Sequence, residues 1–324
     1  LLEGRLRVHD DIPPRLRHGI FATGRTYDVW VRPSNSNGRP TQDWMPDGRG
    51  VSIKILGVNG PQLLSSPSPN GLGLPDGGTQ DFTLISHPTF FMRDAQDYAV
   101  FRSFFDARPD GTRDAFGLAG RVFVFAGRRP RELAIFLRTI LRWCRHPLLL
   151  EYHSLLPFLI GRAEAAKCSV RPTAATRRIL ERETILTLLR CSAQNPADYL
   201  KLALQRSLDE LGAQPLEFEF ALHVAGGEPL PVEDPRIDWA DCGAQRIVVA
   251  TMTIASQDAT SSQRMASAEN LVMTPWHCLI DHQPLGSLNR ARLAAYRASL
   301  EERWRANGVE RELPRALRLN LAAE

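Results

Sequence analysis

The hydrophobic pattern of this chain changes its period twice. Up to about Asp94 apolar residues tend to recur at every second position, beyond it they recur as on a helix, and from Leu216 the two-residue period returns. Strands, then helices, then strands within one chain imply an α+β fold. Leu2, Gly4, Leu6 and Val8 alternate with Glu3, Arg5 and Arg7, and Asp10, Asp11, Pro13 and Pro14 end this first strand. A second strand is predicted over Tyr27–Arg32, stopped by Pro33 and the turn formers from Ser34 to Gly38. The turn Asp47-Gly48-Arg49-Gly50 feeds a third over Val51–Val58. Gln62–Gly78 reads as a surface loop, and Asp81–Ser86 as a further strand.

Helices are predicted over Arg131–Arg145, where Leu133, Phe136, Leu137, Ile140 and Leu141 form one stripe, and over Thr173–Leu189. Another is expected over Pro196–Leu211, opened by Asn195-Pro196, and a last over Asn289–Ala306, ended by Asn307-Gly308. Strands are expected again at Leu216–Val224 and Arg246–Ile254. No internal repeat occurs, and residues 1–324 read as one domain, with strands mainly in 1–100 and 216–256, a helical region over 94–211 and the final helix at 289–306.

Composition is that of a water-soluble globular chain, with 43% hydrophobic and 23% charged residues. The net charge of +4 comes largely from arginine, as in Arg128-Arg129-Pro130-Arg131 and Arg303-Trp304-Arg305. Without a long basic run or a nucleic-acid motif, these read as a solvated face plus a few arginines that hold an anionic ligand, and no nucleic-acid partner is expected. The five cysteines, Cys144, Cys168, Cys191, Cys242 and Cys278, form no CxxC pair, which points to free thiols in a reducing compartment, the cytoplasm by default. No apolar stretch is long enough for a transmembrane segment; Pro147–Ile160 is short and contains Glu151 and His153. The chain begins at Leu1 rather than Met, so secretion or targeting stays open.

The final helix carries the most chemistry. Arg292, Tyr296, Ser299 and Arg303 stand at helical spacings and share one face. An arginine one turn before a tyrosine can hydrogen-bond its phenolic oxygen and place a positive charge beside it, and both effects favour the phenolate. A phenolate is a hard anionic ligand suited to ferric iron. The same spacing also describes a basic amphipathic surface helix whose tyrosine packs on the core.

This segment resembles the proximal-helix motif of the haem catalase family, in which one Arg stands four residues before the ligand Tyr and another seven after it. Arg292, Tyr296 and Arg303 match all three. Further resemblances follow in chain order. Val31-Arg32-Pro33-Ser34-Asn35 is similar to the family's Arg-Phe-Ser segment, and Asp47-Gly48-Arg49-Gly50-Val51-Ser52-Ile53-Lys54 to its Asp-x-Arg-Gly-x-Ala-x-Lys strand entry. Pro88-Thr89-Phe90-Phe91-Met92-Arg93-Asp94 is similar to its Pro-x-Phe-Phe-x-Arg-Asp segment. Glu269-Asn270, Pro275-Trp276-His277 and His282-Gln283-Pro284-Leu285-Gly286 resemble the short catalase-like members, as does the replacement of Asp-Thr after the ligand by Arg297, Ala298 and Ser299. The resemblance covers roughly residues 1–100 and 216–308.

The resemblance implies a catalase-type antiparallel β-barrel enclosing haem, surrounded by helices in a single haem domain. It implies Tyr296 as axial ligand to iron and Arg292 as the group that tunes it. Arg32 and Arg303 would be partners of the haem propionates, with Ser34 beside them. Phe90 and Phe91 would offer flat apolar surface to the porphyrin, and Tyr98 stands where larger relatives carry a Phe on the substrate side. Taken singly, Arg32 also reads as a surface ion pair and the phenylalanines as plain core. The implied activity is cleavage of a peroxide O–O bond, with hydrogen peroxide or an organic hydroperoxide as substrate. A homo-oligomer is compatible with it.

The sequence departs from the family at two positions. The distal His, the acid–base group, is expected a few residues upstream of Leu1; His9 lies beyond the first strand and reads as a surface residue. The slot of the distal Asn falls in Leu84-Ile85-Ser86-His87-Pro88, where Ser86 is the candidate replacement, with His87 beside it as a structural residue or a contributor. These departures keep two alternatives open: a fatty-acid hydroperoxide isomerase or lyase of the allene oxide synthase type, and a non-catalytic haem-binding protein should the distal His be absent.

Overall fold

The computed structural model describes residues 1–36, 42–43, 45–64, 78–103, 127–191 and 198–308. Its centre is a closed antiparallel barrel. The strands are β1 (Leu2–Val8), β2 (Thr26–Asn35), β3 (Arg49–Val58), β4 (Gly78–Ile85), β5 (Tyr152–Ser154), β6 (Phe158–Ile160), β7 (Glu164–Pro172), β8 (Leu216–Val224) and β9 (Gln245–Ile254). The spatial order is β5-β4-β3-β2-β1-β9-β8-β7, and β7 pairs back onto β5, so eight strands close the barrel while β6 extends from β7. β1 joins the two halves, pairing with β2 on one edge and β9 on the other. A glycine stands there because a Cβ on Gly4 would lie 2.5 Å from the Thr253 carbonyl oxygen.

Alternation assigns each strand an inner and an outer face. Leu2, Leu6, Val29, Val31, Ile53, Phe82, Leu84, Cys168, Phe220 and Met252 point inward and are buried. An eight-stranded barrel is just wide enough to be filled by such side chains. Phe220 packs against Phe82 and Phe21 with ring centroids 5.2 and 6.0 Å away. The barrel interior is therefore packed core, and chemistry has to be built on the outside.

Among the described residues six helices surround it: α1 (Ala95–Ser103), α2 (Pro130–Ile140), α3 (Ala174–Cys191), α4 (Tyr199–Asp209), α5 (Ser262–Asn270) and α6 (Ser287–Ala306). The helices expected at 131–145, 173–189, 196–211 and 289–306 are present with adjusted ends; Asn195-Pro196 lies outside the described residues. One expectation is corrected. The interval read as helical over 94–211 also contains β5, β6 and β7, and β5 and β7 close the barrel. Their inward residues are partly small (Ala166, Cys168) and their outward ones include the buried Lys167 and Ser169, so the alternation is low in contrast.

The outer face of β3 and β4 is polar and covered. Lys54 and Asp81 pair there at 2.7 and 2.8 Å, both nearly fully buried. Asp81 also accepts the Thr274 backbone N–H at 3.0 Å, which pins the segment leading into α6 onto the sheet. Removing one partner of such a pair strands a buried charge, at a cost of about 3–5 kcal/mol.

Two stability predictions follow from this packing. Phe220→Ala should destabilise the fold by about 3–5 kcal/mol, read as a lower denaturation midpoint with an unchanged slope. The buried His146 and His282 rings are held neutral by burial, which pulls each from 6.5 to about 4. His282 Nε2 accepts the Ile20 N–H at 3.1 Å, which requires that neutral ring. Unfolded imidazole takes up its proton at higher pH than the folded ring does. Stability is then full above about 6.5 and lost as pH falls towards 4. Urea melts across that window should show the loss, and His282→Gln should flatten it.

Candidate functional site

α6 lies across the outer face of β4. Gly286, at φ +89°, turns the chain into it, and the Trp276 indole donates to the Asn289 carbonyl at 2.9 Å, fixing its first turn. The Trp304 indole donates to the Asn270 carbonyl at 3.2 Å and fixes the last turn against α5.

On the face so oriented, Arg292 and Tyr296 meet as their spacing predicts. Arg292 Nη2 donates to Tyr296 Oη at 2.8 Å and to Thr83 Oγ1 at 2.7 Å, while Nη1 donates to Asn289 Oδ1 at 3.2 Å. The guanidinium also stacks over the phenol ring, 5.1 Å from its centroid. Burial pushes the Tyr296 phenol up, but the charge and hydrogen bond of Arg292, the Thr83 hydroxyl and the charge of Arg32 outweigh it and hold the phenol below its ordinary value. Tyr27, Tyr152 and Tyr199 go the other way, pushed up by burial, Tyr199 to about 12. Tyr296 is the tyrosine built to lose its proton.

Arg32 and Arg303 form a second pair. Arg32, on the outer face of β2, donates to the carbonyls of Ala268 and Leu271 at 3.0 and 3.4 Å, and Arg303 to that of Glu269 at 3.0 Å. Burial first, then the charge of Arg303, pulls Arg32 below the usual guanidinium range, while Glu269, Tyr296 and Asp81 pull it back. Nε of each arginine is buried without a hydrogen-bond partner. Two like charges near each other with unused donors among the described residues are an arrangement suited to an anionic ligand.

The other expected residues lie around this centre. Phe90 and Phe91 meet at 4.7 Å with their rings tilted by 54°; Phe90 meets Tyr98 at 5.9 Å and Phe91 meets Phe136 at 5.0 Å, an aromatic cluster beside α1, which itself packs on α6. Ser34 is exposed at the end of β2, opposite Gly50. Ser86 is buried, its N–H donating to the Arg49 carbonyl at 2.9 Å and its carbonyl accepting from Arg142 at 2.6 Å. These contacts run towards Arg49 rather than to Tyr296. Arg49, in the Asp-x-Arg-Gly resemblance, donates to Asn35 Oδ1 at 2.5 Å and to the Asp43 carbonyl at 2.9 Å. His87 turns back on Thr89 at 3.1 Å, and His9 meets Thr251 Oγ1 at 2.9 Å, so both serve local structure.

Sequence reasoning missed Thr83 and Asn289, both direct partners of Arg292. Asn289, three residues before Arg292, was legible from helical spacing. Thr83 was not, since only the docking of α6 on β4 brings it there. Among the described residues no three of His, Cys, Asp and Glu gather as metal ligands.

This architecture is similar to that of solved catalases. A fungal catalase matches with a TM-score of 0.68 and 16% identity, over 99% of this chain and 64% of its own. A bacterial catalase matches at 0.65 and 16%, over 97% and 59%, and catalase A from Saccharomyces cerevisiae at 0.66 and 15%, over 99% and 65%. The chain thus spans less than two thirds of the length of these catalases. No protein-family model matches the sequence, and no curated protein does. The likeness shows the fold: this is the catalase-type barrel with surrounding helices, as the resemblance implies.

The wiring of Tyr296 gives a direct test. In a spectrophotometric titration, with its signal assigned by difference against Tyr296→Phe, Tyr296 should ionise before Tyr27, Tyr152 and Tyr199. Arg292→Met should move it upward.

Proposed function

We propose that this chain is a haem-dependent enzyme that cleaves a peroxide O–O bond, with Tyr296 as the ligand to haem iron. The observation that carries this reading is the Arg292–Tyr296 contact, 2.8 Å long, beside two arginines with unused buried donors. The donor set fits the cofactor. A phenolic oxygen favoured as its anion suits ferric iron, and Arg32 and Arg303 suit two carboxylates. Bound haem would supply the iron centre at which peroxide is split.

The roles of the chain's own groups follow from their positions. Tyr296 would hold the iron, and the charge and hydrogen bond of Arg292 favour its phenolate. Arg32 and Arg303 fix the orientation of the cofactor through its carboxylates. The Phe90–Phe91 cluster excludes water from one side, and Ser86 offers a hydroxyl in the slot where the family resemblance expects an amide.

A second reading, an organic rather than an inorganic hydroperoxide as substrate, has a specific support. A cavity of about 260 Å³ borders Arg49 and Arg142, the two residues that hold Ser86, and its other walls include Met45, Ile140, Leu141 and Trp143. Its apolar walls suit an acyl chain, and its polar lining pairs Arg49 and Arg142 with Asp43.

Two measurements test these readings. In haem titration the wild type should bind stoichiometrically with a high-spin ferric spectrum, and Tyr296→Phe should lose that spectrum. Arg32→Ala or Arg303→Ala should weaken binding about 10- to 100-fold, the worth of one charge-assisted contact. A normal spectrum in Tyr296→Phe would exclude the assignment. For the substrate, turnover of a fatty-acid hydroperoxide well above that of hydrogen peroxide supports the second reading, whereas lipid turnover no faster than with free haem removes it.

A further inference from the structure

Among the described residues, the Arg292 guanidinium makes three hydrogen bonds, and every acceptor is formally neutral: Asn289 Oδ1, Thr83 Oγ1 and Tyr296 Oη. No carboxylate shares its charge. Two of the three bonds leave the same nitrogen, Nη2, whose two protons diverge in the plane of the guanidinium. Once one proton is fixed on Thr83, the direction of the other is set, and it points at the phenolic oxygen.

The two supports of Arg292 differ in kind. Asn289 belongs to α6 itself, and its amide ties that helix to the Pro157 carbonyl between β5 and β6 at 3.0 Å. Thr83 belongs to β4, on the outer face two residues from Asp81, which the buried Lys54 and the Thr274 N–H hold in place. Thr83 is thus the contact through which β4 sets the orientation of Arg292, and its hydroxyl also hydrogen-bonds the Tyr296 phenol. A hydroxyl does this without competing for charge, whereas a carboxylate at the same place would draw the guanidinium away from Tyr296.

We propose that Thr83 is the positioning residue of the Arg292–Tyr296 pair: from β4 it holds the guanidinium in the orientation that leaves one Nη2 proton for Tyr296 Oη. Its consequence for haem rests on the function proposed above; its geometry does not. Without the hydroxyl, Arg292 keeps Asn289 and the Tyr296 ring and oxygen as partners but loses its tie to the barrel, so its guanidinium is freer to rotate and its donation to Tyr296 is no longer fixed in direction.

The test uses Thr83→Val, which keeps the shape and removes the hydroxyl, and Thr83→Ser, which keeps the hydroxyl; Thr83→Ala replaces the valine variant if that fails to fold. The first readout is nitrogen-15 NMR of the arginine side chains in haem-free protein, with the Arg292 signal assigned by Arg292→Lys. Hindered rotation of the guanidinium in wild type and Thr83→Ser, and free rotation in Thr83→Val, is the expected result. Rotation that stays hindered in Thr83→Val overturns the proposal, even if that variant melts earlier, because a merely structural role would lower stability without freeing Arg292. The second readout is haem dissociation, expected to be about tenfold faster in Thr83→Val and near wild type in Thr83→Ser, the worth of one lost hydrogen bond. An unchanged rate overturns the link to haem. A wild type that takes up no haem removes the proposed function, while the arginine signal still decides for or against Thr83.

Discussion

Among the described residues the barrel is filled by its own side chains, and the rest of the structure follows from that constraint. With Phe82, Phe220 and their aliphatic neighbours occupying the interior, polar chemistry moves to the outer faces of the strands. There each polar residue needs a partner under a covering element. Lys54 and Asp81 satisfy each other, and the surplus acceptor capacity of Asp81 captures the Thr274 backbone. Two residues along β4, Thr83 receives Arg292. One row of outward-facing side chains therefore docks the covering segment and orients the arginine that faces Tyr296.

Electrostatics at this surface are unusually one-sided. Arg292, Arg32 and Arg303 are half-buried around Tyr296, and their hydrogen bonds run to neutral oxygens, namely main-chain carbonyls, an amide, a hydroxyl and the phenol. Positive charge held in partial burial without full neutralisation costs stability, and such arrangements concentrate where an anionic ligand is bound. In the function proposed above, a phenolate at Tyr296 and the two carboxylates of haem would neutralise it.

Much of this was legible in the sequence, for identifiable reasons. β1 and β8 have the observed ends because large apolar residues alternate with charged ones there, as in Leu2, Leu6 and Val8 against Arg5 and Arg7. The Arg292–Tyr296 contact was legible because a helix brings residues four apart onto one face whatever it packs against. The strands between Tyr152 and Pro172 were not, because β5 and β6 are three residues each and β7 alternates small residues with a buried lysine. Thr83 was invisible because its role depends on a contact across 209 positions of sequence. Ser86, two residues before Pro88, was singled out as the candidate for the distal Asn slot, but its burial between Arg49 and Arg142 depends on tertiary packing.

The central claim is that the phenolic oxygen of Tyr296 binds iron. Resonance Raman spectroscopy of the haem-loaded protein, excited within the phenolate-to-iron charge-transfer band, tests it most directly. Phenolate ring modes that shift when tyrosine is supplied in deuterated form, and that vanish in Tyr296→Phe, are the predicted result. A haem-loaded protein that shows no phenolate modes, or that keeps them in Tyr296→Phe, would contradict the claim.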